Sequence, residues 1–340
     1  MLTILDLNHR IFAGGRYMDI LKSVLTALEN HTGEWISGGK LADQFDVSRN
    51  TIWRAMNNLI AAGYPIESVT GRGYRLSSGK DVLSETGIKL NLKRPDAYEF
   101  DCRGTVDSTN RILKELARDG APSGTVIVAD SQLKGRGRFG RTFHSPPGTG
   151  IYFSFLLRPE AYHVPVNILP AIAAVATSEG IREVFGIKNG IKWVNDIYID
   201  DRKVAGILTE AEIDLETGSQ AYVVVGIGIN VYAPLQSFPE EIKNIAGTVL
   251  DGEPRPNGRN RLIAAILNKW DYYSAVENID ECSRLFRERS ILKGRDVQVT
   301  IGRTTYPASV IDCDDKFQLI VEQIDGTRQI LSCGEVTLSL

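Results

Sequence analysis

At 340 residues, with 43% hydrophobic and 24% charged residues, the chain is ordinary globular material, long enough for two or three domains. Its net charge of −3 excludes a global basic field that would recruit nucleic acid, so any such site must be local. No apolar run reaches the length of a membrane span, and the scattered cysteines (Cys102, Cys282, Cys313, Cys333) and histidines (His9, His31, His144, His163) suggest neither a disulfide framework nor a metal constellation, so a reducing cytoplasm is expected.

Met1 to Tyr17 lacks the plan of a signal peptide, and Met18 offers an alternative start that would make the earlier residues an extension. A first segment is expected over 18–80. Ile20, Leu21, Val24, Leu25 and Leu28 repeat at helical spacing. A short second helix follows over Lys40–Phe45, Asp46-Val47 turns the chain, and Ser48 is placed to cap a third helix. In that helix Ile52, Ala55, Met56, Leu59 and Ile60 form the expected buried stripe, while Arg49, Asn50, Trp53, Arg54 and Asn57 face the other way. Gly63 is a stop signal. Beyond it, Tyr64–Val69 and Tyr74–Leu76 flank Gly71-Arg72-Gly73, which reads as a hairpin wing with a basic tip.

This is the plan of a winged helix-turn-helix, whose third helix enters the major groove. Between Ser37 and Leu76 five basic residues stand against three acidic ones, a local basic face on an acidic chain. Arg49, Asn50, Arg54, Arg72 and Arg75 are the candidate DNA contacts. The competing use of such a module is protein contact or dimerisation. Trp53 is open to two readings, packing on the first helix or pressing on sugar-phosphate.

A second segment, 81–288, alternates strand and helix patterns. Tyr98–Cys102 reads as a strand, and Ser108 caps a helix through Ala117. Thr125–Ala129 is a strand, followed by Gly135-Arg136-Gly137-Arg138-Phe139-Gly140-Arg141. The glycines let backbone approach a ligand, and the guanidinium groups fork onto carboxylate or phosphate oxygens, so the loop is suited to covering a small anion. Its spacing also satisfies a dinucleotide-binding pattern, which requires a helix to open there. Pro146-Pro147 and the apolar strand Ile151–Leu157 exclude that helix, so the loop joins strand to strand. The bland alternative is a solvated basic surface loop. Pro170 opens a buried helix, Ile191–Ile199 reads as one strand, Asp200-Asp201-Arg202 turns it into Lys203–Glu210, and Ala221–Asn230 is a further strand. The third segment, 289–340, holds short strands at Asp296–Ile301, Thr305–Ile311, Phe317–Gln323, Arg328–Leu331 and Glu335–Leu338, a pattern that suggests a small barrel.

Five motifs now stand in order: Asp107-Ser108-Thr109-Asn110, the Gly-Arg loop, Lys192-Trp193-Val194-Asn195-Asp196, Asp201–Leu208 and Gly226-Ile227-Gly228-Ile229-Asn230. In this order they resemble biotin–protein ligases, and with the winged helix and small barrel they resemble the bifunctional bacterial form that also represses the biotin operon. The resemblance covers nearly the whole chain from Met18. It implies an α/β (α+β) fold: a winged helix-turn-helix, a mixed-sheet ligase domain of the class II synthetase type, and an SH3-like barrel. It implies that biotin and Mg-ATP give biotinyl-5′-adenylate and pyrophosphate, and that the acyl group passes to a lysine of a biotin carboxyl carrier domain. A homodimer, operator DNA and Mg2+ come with it.

Bringing a carboxylate to an α-phosphate joins two anions, so cations must screen them. The resemblance makes Lys203 the leading catalytic residue, with Arg138 beside it. Alternation places Lys203, Ala205 and Ile207 on one strand face. Arg136, Gly137 and Arg138 would cover the intermediate. Ser108, Thr109, Asn110 and Gln132 supply hydrogen bonds for the ureido head, and Gly206, Gly226 and Gly228 let backbone line its pocket. Arg141, Phe143, Asn195, Asp196 and Asn230 fall to the nucleotide, Phe143 as the adenine platform where relatives often carry Trp. Lys192 adds charge nearby. Without the motif Lys203 would read as a surface lysine, and Ser108-Thr109-Asn110 as a cap alone. The chain departs from the family pattern at Val194 (usually Pro), at Phe139 (Arg in some relatives) and in Glu335–Ser339, which lacks a basic residue, so no C-terminal contact to ATP carries over. Two alternatives remain: a lipoate–protein ligase, and a repressor that senses biotin without catalysis. The Gly-Arg loop and winged helix favour biotin, and the presence of Arg138 and Lys203 favours catalysis.

Overall fold

The computed structural model describes residues 4–77, 81–213, 220–234, 236–252 and 254–338; the expected boundary residue Lys80 and the terminal Ser339 lie outside them. Two compact units result, 1–95 with 253–264, and 96–252 with 265–340. Among the described residues no helix is long and apolar enough to cross a membrane.

The first unit opens with α1 (Ile4–Asn30), α2 (Gly38–Gln44) and α3 (Arg49–Ala61). Leu21, Val24, Leu25 and Leu28 of α1 pack with Leu41, Ile52, Ala55, Met56 and Leu59 in one core. Ser48 caps α3 as the sequence indicates, its Oγ accepting from the Thr51 N–H, and Ser37, not singled out in the sequence, caps α2 by accepting from the Lys40 N–H. Ile60 departs from the expected stripe and is exposed, because the buried face of α3 is already filled by Met56 and Leu59 one turn earlier and beside it. The wing is β1 (Ile66–Val69) against β2 (Gly73–Leu76), and Ile36 bridges to Tyr74 as a third rung. Gly73, at φ +102°, has no room for a side chain: a Cβ would stand 2.2 Å from the Ile36 carbonyl oxygen. A short α4 (Glu85–Lys89) follows.

The second unit is built on a seven-stranded mixed sheet. Its strands are β3 (Glu99–Val106), β4 (Thr125–Gln132), β5 (Gly150–Leu157), β6 (Gly190–Lys192), β7 (Asp196–Ile199), β8 (Arg202–Ile213) and β9 (Gln220–Asn230), in the order β3-β4-β5-β9-β8-β7-β6. Only β3 and β4 run parallel, joined by α5 (Thr109–Arg118). Leu113 and Ala117 of α5 bury against Ile127, Leu156 and Val224. Alternation along the paired strands puts Ser154, Gly226 and Gly228 further along that same face. α6 (Leu169–Phe185), apolar almost all round, is buried along most of its length. α7 (Gly258–Tyr273) and α8 (Ile279–Glu288) precede an antiparallel sheet of β10 (Asp296–Ile301), β11 (Thr304–Cys313), β12 (Leu319–Gln323), β13 (Arg328–Leu331) and β14 (Glu335–Leu338). Its strand order is β13-β12-β11-β10-β14.

Two local expectations change. Residues 191–199 are a hairpin of β6 and β7 rather than one strand, with Lys192 opposite Asp196 and a cis peptide between Trp193 and Val194 at the tip. Tertiary contacts override the strand propensity here: the Trp193 indole donates to the Phe317 carbonyl and Asn195 Nδ2 to the Ile207 carbonyl. In β8 the register against β7 slips by one between Lys203 and Ala205. The extra residue, Val204, reverses the alternation, so Lys203 shares its face with Gly206 and not with Ala205 and Ile207.

Candidate active site and nucleic-acid face

A cavity of about 1260 Å3 opens over the glycine-bearing face of the seven-stranded sheet. That volume exceeds the ~300–1,000 Å3 usual for one small ligand. The residues singled out in the sequence for biotin and nucleotide all line it: Ser108, Thr109, Asn110, Gln132, Arg136, Gly137, Arg138, Arg141, Phe143, Asn195, Asp196, Lys203, Gly206, Gly226, Gly228 and Asn230.

Its floor is backbone by necessity. Gly206 pairs with Gly228 and Leu208 with Gly226 across β8 and β9. A Cβ on Gly226 would lie 2.0 Å from Asn110 Oδ1, and one on Gly228 would lie 2.7 Å from the Phe143 ring. The two glycines thus seat two different groups, the polar helix start on one side and the Phe143 ring on the other.

At the helix start, Ser108 occupies the cap position but makes no side-chain capping bond, so its buried hydroxyl is not spent on α5. Gln132 Oε1 takes the capping role, accepting from the Thr109 N–H at 2.9 Å, while Gln132 Nε2 donates to Ser145 Oγ. Asn110 is fully engaged by protein: Nδ2 donates to Glu210 Oε2 at 2.8 Å and to the Leu208 carbonyl, and Oδ1 accepts from Ser154. Its geometry is that of a support for the pocket wall rather than of a ligand contact. Burial opposes ionisation of Glu210, but hydrogen bonds from Lys114 and Asn110 outweigh it and hold the carboxyl below its usual range.

On the cationic side, Lys203 Nζ pairs with Asp196 Oδ1 at 2.7 Å. The backbone of Lys203 is clamped on both sides, its N–H donating to the Ile245 carbonyl and its carbonyl accepting from Gly247. Arg138 Nη1 donates to Asn195 Oδ1 at 3.0 Å and Nη2 to the Gly334 carbonyl at 2.8 Å. Burial pushes the Arg138 guanidinium and the Lys192 ammonium below their usual values. Arg141 pairs with Glu335 at 2.5 Å. The Gly-Arg loop joins β4 to β5 as expected, closed by a bridge between Arg136 and Thr142. β14, which lacks the basic residue that some relatives place there, lines the cavity through Glu335–Leu338.

In the first unit, Arg49, Asn50 and Arg54 are exposed on α3 and Arg72 at the tip of the wing. Trp53 is exposed as well, which favours the second of its two readings. Arg75 pairs with Glu67 at 2.6 Å, and both it and Arg72 lie over the Trp35 ring, so Arg75 braces the wing where the other four carry no carboxylate partner among the described ion pairs.

The sequence pattern of the Biotin/lipoate A/B protein ligase family matches residues 104–230, and that of a helix-turn-helix domain matches residues 20–75. The Bifunctional ligase/repressor BirA of Bacillus subtilis is 33% identical over 317 residues, spanning 92% of this chain and 96% of that protein. The chain belongs to the BirA family. The Escherichia coli member is 32% identical over 312 residues, 90% of this chain and 94% of its own length. A biotin protein ligase from Aquifex aeolicus, solved in complex with biotin and ATP, matches with a TM-score of 0.59 at 29% identity, covering 71% of this chain and 98% of that one.

Two supports behind the wall of this BirA-family cavity and one part of its lining went unread in the sequence. Ser154, the lone polar side chain in the apolar core of β5, joins Thr109 to Asn110; a serine inside so apolar a strand is the signal that would have found it. Glu210 and Lys114 lie beside matched motifs, without a spacing of their own to mark them. The segment Ile242–Ala246 reaches the cavity through its pairing with Lys203, a contact that only the fold creates.

Proposed function

We infer that the chain is a biotin–protein ligase that doubles as a biotin-responsive repressor. The observation that carries this reading is the meeting of Lys203, Arg138 and Asn195 above a glycine floor in a cavity with room for two ligands. The biotin carboxylate attacks the α-phosphorus of ATP, a carbon–oxygen–phosphorus anhydride forms, and pyrophosphate leaves with the bond's electron pair. The carrier lysine amine then attacks the acyl carbon and AMP departs. Lys203 screens the meeting anions, while Arg138 and Arg136 cover the anhydride and keep water out. Ser108 and Thr109 receive the ureido head, with Gln132 and Asn110 holding that wall in shape. Phe143 faces adenine, and Arg141, Asn195, Asp196 and Asn230 line the nucleotide side.

Among the described residues no three metal-ligating side chains converge, and both Asp196 and Glu335 are matched by cations. This donor set suits a Mg2+ that arrives on ATP phosphates rather than one caged by protein. Residues 18–80 would read operator DNA, residues 81–288 would carry the chemistry, and residues 289–340 would wall the cavity. The partners are a biotin carboxyl carrier domain, operator DNA and a second copy of the chain, all in the cytoplasm.

Pyrophosphate–ATP exchange measured with biotin, with lipoate and with neither tests the chemistry. Exchange that depends on biotin is expected. Lipoate-dependent exchange would move the chain to the sister activity, and absence of both would leave a sensor without catalysis.

A further inference from the structure

Tyr17 precedes the alternative start at Met18, yet α1 runs unbroken through both. Tyr17 stands four residues before Leu21, on the face that continues through Val24 and Leu28 into the core. It therefore carries the buried stripe of α1 one turn past the core, onto α3. There its hydroxyl oxygen accepts from Asn58 Nδ2 at 2.9 Å, and the Arg54 guanidinium lies 5.6 Å from the centre of its ring. Arg54 and Asn58 are four apart, in one row with Asn50 on the exposed side of α3.

We propose that Tyr17 is a positioning residue for DNA reading: it fixes the direction of the Arg54 side chain on the recognition helix before DNA arrives. A free arginine side chain loses rotamer entropy when it forks onto a base edge; one already stacked and flanked loses less. The proposal rests on the DNA-reading assignment of the first unit. It gives a role to Tyr17, which the motifs leave unexplained.

The test uses the full chain with biotin and ATP. A duplex is enriched from a random-sequence pool by the unaltered protein, and mixed-sequence genomic DNA serves as the non-specific probe. Tyr17→Ala is expected to weaken binding to the enriched duplex roughly fivefold and Tyr17→Phe about twofold, with binding to mixed-sequence DNA and biotin-dependent pyrophosphate exchange unchanged. In an Arg54→Ala background, Tyr17→Ala should have no further effect. Unchanged or tighter binding by Tyr17→Ala overturns the proposal, the latter because the ring would then mask Arg54. So does an equal loss with and without Arg54, or an equal loss on both DNAs. Should Tyr17→Ala melt early, Tyr17→Phe decides alone. Failure of the unaltered protein to enrich any duplex removes the DNA assignment itself, and the proposal with it.

Discussion

Lys203 is held by more than its ion pair. Its backbone N–H and carbonyl are both bonded to the 245–247 segment, and the slip at Val204 turns its side chain over Gly206. A group fixed this way meets developing charge without rearranging. Lys203→Ala should lose pyrophosphate exchange roughly a hundredfold or more while its melting temperature holds; unchanged turnover would take Lys203 out of the chemistry. The glycine floor offers a sharper test, because its two members seat different groups. Gly226→Ala drives a methyl into Asn110 and should raise the KM for biotin roughly tenfold, leaving ATP little affected. Gly228→Ala presses instead on Phe143 and should raise the KM for ATP. Equal effects on both substrates would show that the two halves of the cavity are not separable.

Among the elements, those read from short-range pattern were legible: the cap at Ser48, the wing at Gly73, and a Gly-Arg loop joining strand to strand. Each depends on neighbours within a few residues. The one-residue slip in β8 and the hairpin at 191–199 depend on partners far along the chain, Ile245 and Phe317 among them, and left no local mark. The end of α1 shows a further long-range effect. Burial pushes Glu29 up to about 7, against the opposing influence of Arg261 and Asn257, with Asp81 adding to the rise. A carboxyl with a raised value in the folded state stabilises the fold at low pH and loses that contribution as pH climbs from about 4.5 through about 7. The first unit should therefore weaken across that window by roughly 3 kcal/mol at most. Glu29→Gln should flatten the profile, and hydrogen exchange in α1 and α3 against pH would read it. A flat profile in the unaltered protein would place the proton elsewhere.

The whole molecule divides in a way that motif order does not announce. Residues 253–264 belong with the winged helix, where the Tyr64 hydroxyl donates to Asn257 and the Arg259 N–H to Asp81. Removing residues 1–80 should abolish operator binding, and it should also strip the 257–261 stretch of its partners and lower the melting temperature. Arg49→Ala should weaken operator binding without the thermal penalty; a truncated chain that still shifts operator DNA would refute the DNA assignment. The sixteen residues singled out in the sequence, by contrast, all line one cavity, because each motif brings its own strand end or loop to the same sheet face. Two of their cations come already matched, Lys203 by Asp196 and Arg141 by Glu335, while Arg138 is held by the neutral Asn195 amide and Gly334 carbonyl. At these two cations the cavity acts as an ion exchanger rather than as an open positive well. A stray phosphate or sulfate gains only the difference between one anion and another, which is little. A nucleotide brings adenine and ribose contacts that tip the exchange, so selectivity against the cell's abundant inorganic anions is built into the resting charge pattern.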